Sequence, residues 1–146
     1  MAELDLKKTN SVATKRIIEE IKTHREAVII DLDYVINHKN FTFALCDFLD
    51  EFNRSDDKSK MIENPPSSER AAKKNLCIIA AVVHKLANDN SLNIPEWVNS
   101  PLYIMPYPIF AHDTTNEEYR KFLIDDSPLE FANRNIFYGS RTIERV

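Results

Sequence analysis

The sequence predicts a mostly α-helical fold, a compact bundle of about five helices in which a Pro- and aromatic-rich strap precedes the C-terminal helices. Apolar residues recur at helical spacing over two long segments, 41–54 and 69–88. The chain has one glycine, Gly139, so turns with positive φ are costly and a hairpin-rich β fold is disfavoured. From its length of 146 residues we expect a single helical domain over 10–146, after a flexible N-terminus at 1–9.

The first half of the chain contains two helical segments with an ambiguous segment between them. Asn10 or Ser11 is the predicted N-cap of a helix that runs through TKRIIEEIKTHREA. The segment 27–37, AVIIDLDYVIN, either continues this helix or forms a buried strand, because periodicity does not arbitrate over so short a run. The segment 41–54 is predicted to be an amphipathic helix, whose apolar positions are Phe41, Leu45, Phe48, Leu49 and Phe52.

The segment 69–88 is predicted to be the central helix. It contains eight consecutive apolar residues, 76–83, and a helix that is apolar nearly all round is normally surrounded by other elements. Four prolines then exclude a long helix over 93–112, a segment that also carries Trp97 and three other aromatic side chains. We therefore expect an ordered strap across the helices rather than a loose linker.

Two short helices are predicted after the strap. Thr114 or Thr115 is the predicted cap of the helix NEEYRKFLIDD, whose residues Tyr119, Phe122 and Leu123 are predicted to face inward. Pro128 suits the first turn of a further helical piece, PLEFANR. Gly139 is expected to close the last turn of the chain.

Charge and composition argue against several classes of protein. The net charge of −4 argues against non-specific nucleic-acid binding, because such binding requires a positively charged face that neutralises phosphates. We find no secretory h-region and no apolar run of membrane-spanning length, so we expect a cytoplasmic protein. Cys46 and Cys77 lie in apolar segments and are expected to be buried, reduced thiols. The four histidines lack the spacing of metal ligands, so neither a metal nor a cofactor is predicted.

Two short motifs resemble those of haloacid-dehalogenase-type phosphotransferases. VIIDLD resembles their strand and DxD nucleophile, and FLIDDSP resembles their acidic magnesium-binding motif. The resemblance implies that Asp31 attacks phosphorus, that Asp33 serves as acid or base, and that Asp125 or Asp126 holds the metal. That family has small, flexible residues where this chain has the bulky run 34–36. We favour the alternative, in which Asp31 and Asp33 face solvent on a helix and the protein is not an enzyme.

The tail, 127–146, combines arginines with aromatic residues. Three arginines against two glutamates give +3 − 2 = +1, too little for a phosphate track. We expect the apolar residues to dock the tail and the arginines to point outward, where a partner's carboxylates accept their forked hydrogen bonds. Two alternatives stay open: the arginines are solvated surface residues, and Trp97 and Phe137 are buried in the core. The predicted partner-binding residues are Trp97, Arg134, Asn135, Phe137 and Arg141.

The second half of the chain carries a pattern of short motifs. Asn75 opens the apolar helix, and IPEWV at 94–98 and PIFA at 108–111 follow it. The block SPLEFANRNIF at 127–137 comes next, and the chain ends in Arg-Val. Together with CDFLDEF at 46–52, these motifs resemble a family of small, mostly uncharacterised bacterial proteins, although Ile109 stands where that family has an aromatic residue.

The resemblance implies a genetic context rather than a reaction. Such proteins look like those encoded beside toxin–antitoxin or phage-defence components, often next to nucleotidyltransferase-like toxins. We therefore expect an antitoxin or accessory component that binds and restrains a toxin through its C-terminal half. An immunity protein against a secreted toxin is the alternative. A DNA-binding regulator ranks lower, because three glutamates interrupt its basic footprint, Lys15, Arg16, Lys22 and Arg25.

Overall fold

The computed structural model describes residues 29–67, 69 and 71–143. The predicted flexible N-terminus and the first predicted helix lie outside these residues. Two residues from each of two distant segments form a parallel pair, β1 (Ile109–Phe110) with β2 (Ile136–Phe137). The α-helices of the described part are α1 (Leu32–Asn37), α2 (Phe41–Arg54), α3 (Lys58–Ile62), α4 (Lys73–Asp89), α5 (Glu117–Asp126) and α6 (Leu129–Ala132). The mostly α-helical prediction is confirmed.

Two capping side chains explain where α1 and α2 begin. The Asp31 carboxylate accepts a hydrogen bond from the Tyr34 backbone N–H at 2.9 Å, and Asn40 accepts from Phe43 N–H at 3.0 Å. The ambiguous segment therefore becomes helical from Leu32 onward. In α2, the apolar spacing places Phe48 and Phe52 fully inside the core.

Helix α4 forms the centre of the fold. Its residues 76–83 are all buried, because α1 and α6 pack against it together with two 3₁₀ turns of the strap, Glu96–Asn99 and Pro101–Tyr103. The uniformly apolar run predicted this surrounded position. Cys77 is buried on the same helix and is a free thiol.

The segment between α4 and α5 contains no α-helix. Pro101 occupies the first position of its 3₁₀ turn, where a missing N–H costs nothing, and the following prolines prevent extension into a helix. The predicted caps of α5 are wrong by one or two residues. Asn116 is the cap, since its side-chain oxygen accepts from Tyr119 N–H at 2.8 Å, whereas the Thr114 hydroxyl accepts from the Asn116 N–H.

Candidate functional site

Arg134 is buried, with only 5% of its surface exposed. Its Nη1 donates to the Glu130 carbonyl at 2.7 Å and to His84 Nδ1 at 3.2 Å, and its Nη2 donates to the Val98 carbonyl at 2.7 Å. The outward display predicted for Arg134 is therefore wrong. Its guanidinium joins α6, α4 and the Glu96–Asn99 turn, so it fastens three segments that are distant in sequence.

The guanidinium is held by acceptors that carry no formal charge. Burial lowers the pKa of Arg134, and the nearby Cys77 and Glu130 oppose this shift. An arginine remains protonated despite such a shift, because its ordinary pKa lies far above neutrality. The Nε atom is buried and has no hydrogen-bond partner in the described part of the chain. The three hydrogen bonds of the terminal nitrogens therefore compensate for the removal of the charge from water.

Asn135 fastens the strap to the tail. It adopts a left-handed backbone conformation with φ 64°, which Asn tolerates better than most residues. Its Nδ2 donates to the Met105 carbonyl at 2.7 Å, and its own carbonyl accepts from Ile109 N–H at 2.8 Å. Met105 N–H in turn donates to the Arg134 carbonyl at 3.1 Å. We call Arg134, Asn135 and these contacts the clasp.

The end of the tail closes against α5. Gly139 has φ 80°, and its N–H donates to the Ser127 hydroxyl at 2.9 Å. A Cβ at this position would lie 3.1 Å from the Leu123 side chain, so glycine suits both the backbone and the space. The Asp126 carboxylate accepts from the N–H of Ser140 at 3.0 Å. The expected turn-closing role of Gly139 agrees with this geometry.

Trp97 also makes internal contacts. It is half-buried, its Nε1 donates to the Ile62 carbonyl at 3.0 Å, and its ring meets Tyr103 edge to face at 5.3 Å. Three of the five predicted partner-binding residues, Trp97, Arg134 and Asn135, thus have their polar side-chain groups bonded within the protein. Arg141 is exposed and Phe137 is half-buried, so these two remain accessible to a partner.

Phe137 belongs to a layered aromatic surface. Its ring stacks on Phe110 with 5.4 Å between centroids, since the parallel pairing of β1 and β2 places the two residues side by side. The Arg120 guanidinium lies over the Phe110 ring at 4.5 Å, and its Nε donates to the Thr114 carbonyl at 2.7 Å. Strand pairing and a side-chain hydrogen bond therefore fix this arrangement.

Helix α5 carries a second pair of stacked aromatic rings. Tyr119 and Phe122 lie 6.3 Å apart and nearly parallel, and they are 38% and 56% exposed. The inward orientation predicted for both is wrong, because α5 is anchored through Leu123, which is 2% exposed. We call Phe110, Tyr119, Arg120, Phe122 and Phe137 the aromatic–arginine face. It has two parts, because Arg120 reaches Phe110 from one flank of α5, whereas Tyr119 and Phe122 lie on the other flank of the buried Leu123. Sequence reasoning missed Arg120; its place beside two aromatics was the available signal.

Asp31 and Asp33 lie apart from the aromatic–arginine face, along a cavity of about 800 Å³ between residues 29–33, α2 and α3. Asp31 caps α1, and Asp33 accepts from Ser67 N–H at 2.5 Å. The described residues include no group of three His, Cys, Asp or Glu side chains that could hold a metal ion. Asp31 follows two irregular residues and starts a helix, unlike the strand end on which the phosphotransferase resemblance depends.

Comparison with known proteins adds no relative. No protein-family model, curated protein or solved structure matches this chain. Among the described residues, the helices are too short or too polar to cross a bilayer.

Proposed function

We propose that this protein is a non-enzymatic protein-interaction module that binds its partner through the aromatic–arginine face. The observation that carries the proposal is the exposed stacked pair Tyr119 and Phe122 on α5, the helix that also carries the positioned Arg120. Aromatic and arginine side chains are enriched among the residues that dominate binding energies. Exposed aromatic surface lowers solubility, and a bound partner that covers this surface removes the disadvantage.

The face is ordered before any partner arrives. Arg120 is held by the Thr114 carbonyl and by the Phe110 ring, so little side-chain entropy remains to be lost on binding. Arg141 is exposed directly after Ser140, which contacts the C-terminal end of α5. We infer a partner that offers an apolar centre to the rings and carboxylates to the two arginines.

The family resemblance supplies the context of the proposal. We propose an antitoxin or accessory component of a bacterial toxin–antitoxin or phage-defence system, acting in the cytoplasm on a toxin, with a nucleotidyltransferase-like toxin as the first candidate. The proposal includes the finer architecture of a five-helix bundle held by a strap. In this view the 127–137 block builds the clasp, and the clasp positions Phe137 and Phe110.

The alternative is an immunity protein against a secreted toxin. The net charge of −4 favours it to the extent that nucleic-acid-degrading toxins present basic sites, which an acidic partner complements. Genetic linkage to a secreted effector, rather than to a cytoplasmic toxin, distinguishes this alternative.

The test is affinity capture from the native host with the full-length protein, followed by mass spectrometry. We expect a stoichiometric partner whose recovery falls at least about tenfold when Tyr119 and Phe122 are both changed to Ala. Phe43→Ala is the matched control, because Phe43 is an aromatic residue that is 55% exposed on α2, and α2 contributes no residue to the face.

Two results contradict the proposal. One is equal recovery of the partner by the double variant and the wild type, with circular dichroism showing both folded. The other is nucleotide hydrolysis or transfer by the purified protein that Asp31→Asn abolishes, because this would make the protein an enzyme.

A further inference from the structure

His84 lies where α4 meets the clasp. Its ring is half-buried, and its Nδ1 stands 3.2 Å from Arg134 Nη1. A guanidinium only donates hydrogen bonds, so Nδ1 must be the unprotonated acceptor and the ring proton must sit on Nε2. The contact therefore exists only while His84 is neutral.

Two charged groups act on the His84 ring from outside its helix. Burial lowers the pKa of His84, the Arg134 cation lowers it further, and the Glu130 carboxylate partly opposes both. Glu130 is itself engaged, since it accepts from Asn88 Nδ2 at 2.8 Å.

The remaining titratable groups near this junction keep their charge when the pH falls from neutral to mildly acidic. On α4 the neighbouring Lys85 is paired with Asp89 at 2.5 Å. Burial raises the pKa of Cys77 and of Tyr103, so both stay neutral at and below neutral pH. His84 is thus the group at this junction whose charge changes on mild acidification.

We propose that the clasp is an acid-sensitive device, in which protonation of His84 replaces an acceptor of Arg134 by a second cation and loosens the strap from the tail. Arg134 then keeps only the Glu130 and Val98 carbonyls, next to a like charge. The hydrogen bonds from Met105 and Ile109 to the clasp carbonyls open more often as a result.

The direction of the pH dependence of clasp closing follows from the lowered pKa of His84. The opened state binds the proton more tightly than the closed state, so closing is favoured more strongly as pH rises. The full contribution is present above the ordinary histidine value of about 6.5 and is lost as pH falls through the pKa of the closed state. Resting on the proposed function, the same opening separates Phe110 from Phe137 and weakens partner binding.

Amide hydrogen exchange of the full-length protein tests the device without any partner. The protection factors of the Met105 and Ile109 amides, each referred to the unfolded-chain rate at the same pH, are measured between about pH 7.5 and pH 5. We expect a decrease of up to about thirtyfold, the limit that an opened-state pKa near 6.5 sets over this range. In His84→Gln, which keeps a neutral acceptor at all these pH values, the decrease is expected to disappear.

His112→Asn is the matched control, because it removes an exposed histidine at a left-handed position that Asn tolerates. It is expected to keep the wild-type pH dependence. The device is ruled out when wild type and His84→Gln lose protection equally, or when neither does. Because exchange needs no partner, failure of the capture experiment leaves this result standing, and failure here leaves the proposed function standing.

Discussion

At the scale of single residues, Arg134 shows why residue type alone misplaces a side chain. Arginine is among the residues least often fully buried, so the sequence favours a displayed guanidinium. The structure buries it because two backbone carbonyls and a histidine nitrogen converge on its terminal nitrogens. Those acceptors come from residues 36 to 50 positions away and from its own helical turn, and no local pattern encodes their convergence.

Removing the Arg134 guanidinium is expected to be costly. Arg134→Ala leaves the buried Val98 carbonyl without its donor and leaves a cavity, so we expect a loss of about 2–4 kcal/mol in the free energy of unfolding. Urea denaturation followed by circular dichroism measures it. Arg141→Ala, at an exposed arginine of the same tail, is expected to change it by less than about 0.5 kcal/mol. Equal effects of the two substitutions would show that Arg134 does not fasten the fold.

At the scale of elements, strongly periodic segments were predictable and marginal ones were not. The spacing in α2 and the apolar run of α4 gave both helices and their buried residues, because burial on one face or on all faces leaves a direct mark on the sequence. Helix α5 leaves a weak mark, since Leu123 is its single buried residue. Its exposed aromatics therefore looked like core, and the aromatic–arginine face was missed with them.

The cap of α5 is expected to control how well the face is ordered. Asn116→Ala removes the acceptor for Tyr119 N–H, which should weaken the first turn by about 1 kcal/mol and lower protection of that amide about fivefold in hydrogen exchange. Asn116→Asp keeps an acceptor and should preserve protection. Unchanged protection in the Ala variant would mean that packing, rather than the cap, holds the turn.

At the scale of the whole molecule, the C-terminal block completes the core instead of decorating it. Phe131 and Ile136 are almost fully buried, and both belong to the same apolar cluster as α2 and α4. Helix α4 therefore has one side covered by early elements and the other by the strap and tail. The tail's motif block is explained first by architecture, and its functional contribution is the position that it gives to Phe137.

Truncation after Asp126 is consequently expected to destroy cooperative folding. It exposes α4 by removing Phe131 and Ile136, each worth about 2–5 kcal/mol when truncated in a core, and it removes Arg134 as well. The summed loss approaches the whole stability of a typical domain. Near-UV circular dichroism and urea denaturation should show a molten or unfolded chain, whereas a chain ending after Ile143 should unfold cooperatively. A truncated chain that retains a sharp urea transition would mean that the early helices form a sufficient core alone, and the tail would then be a separable surface element.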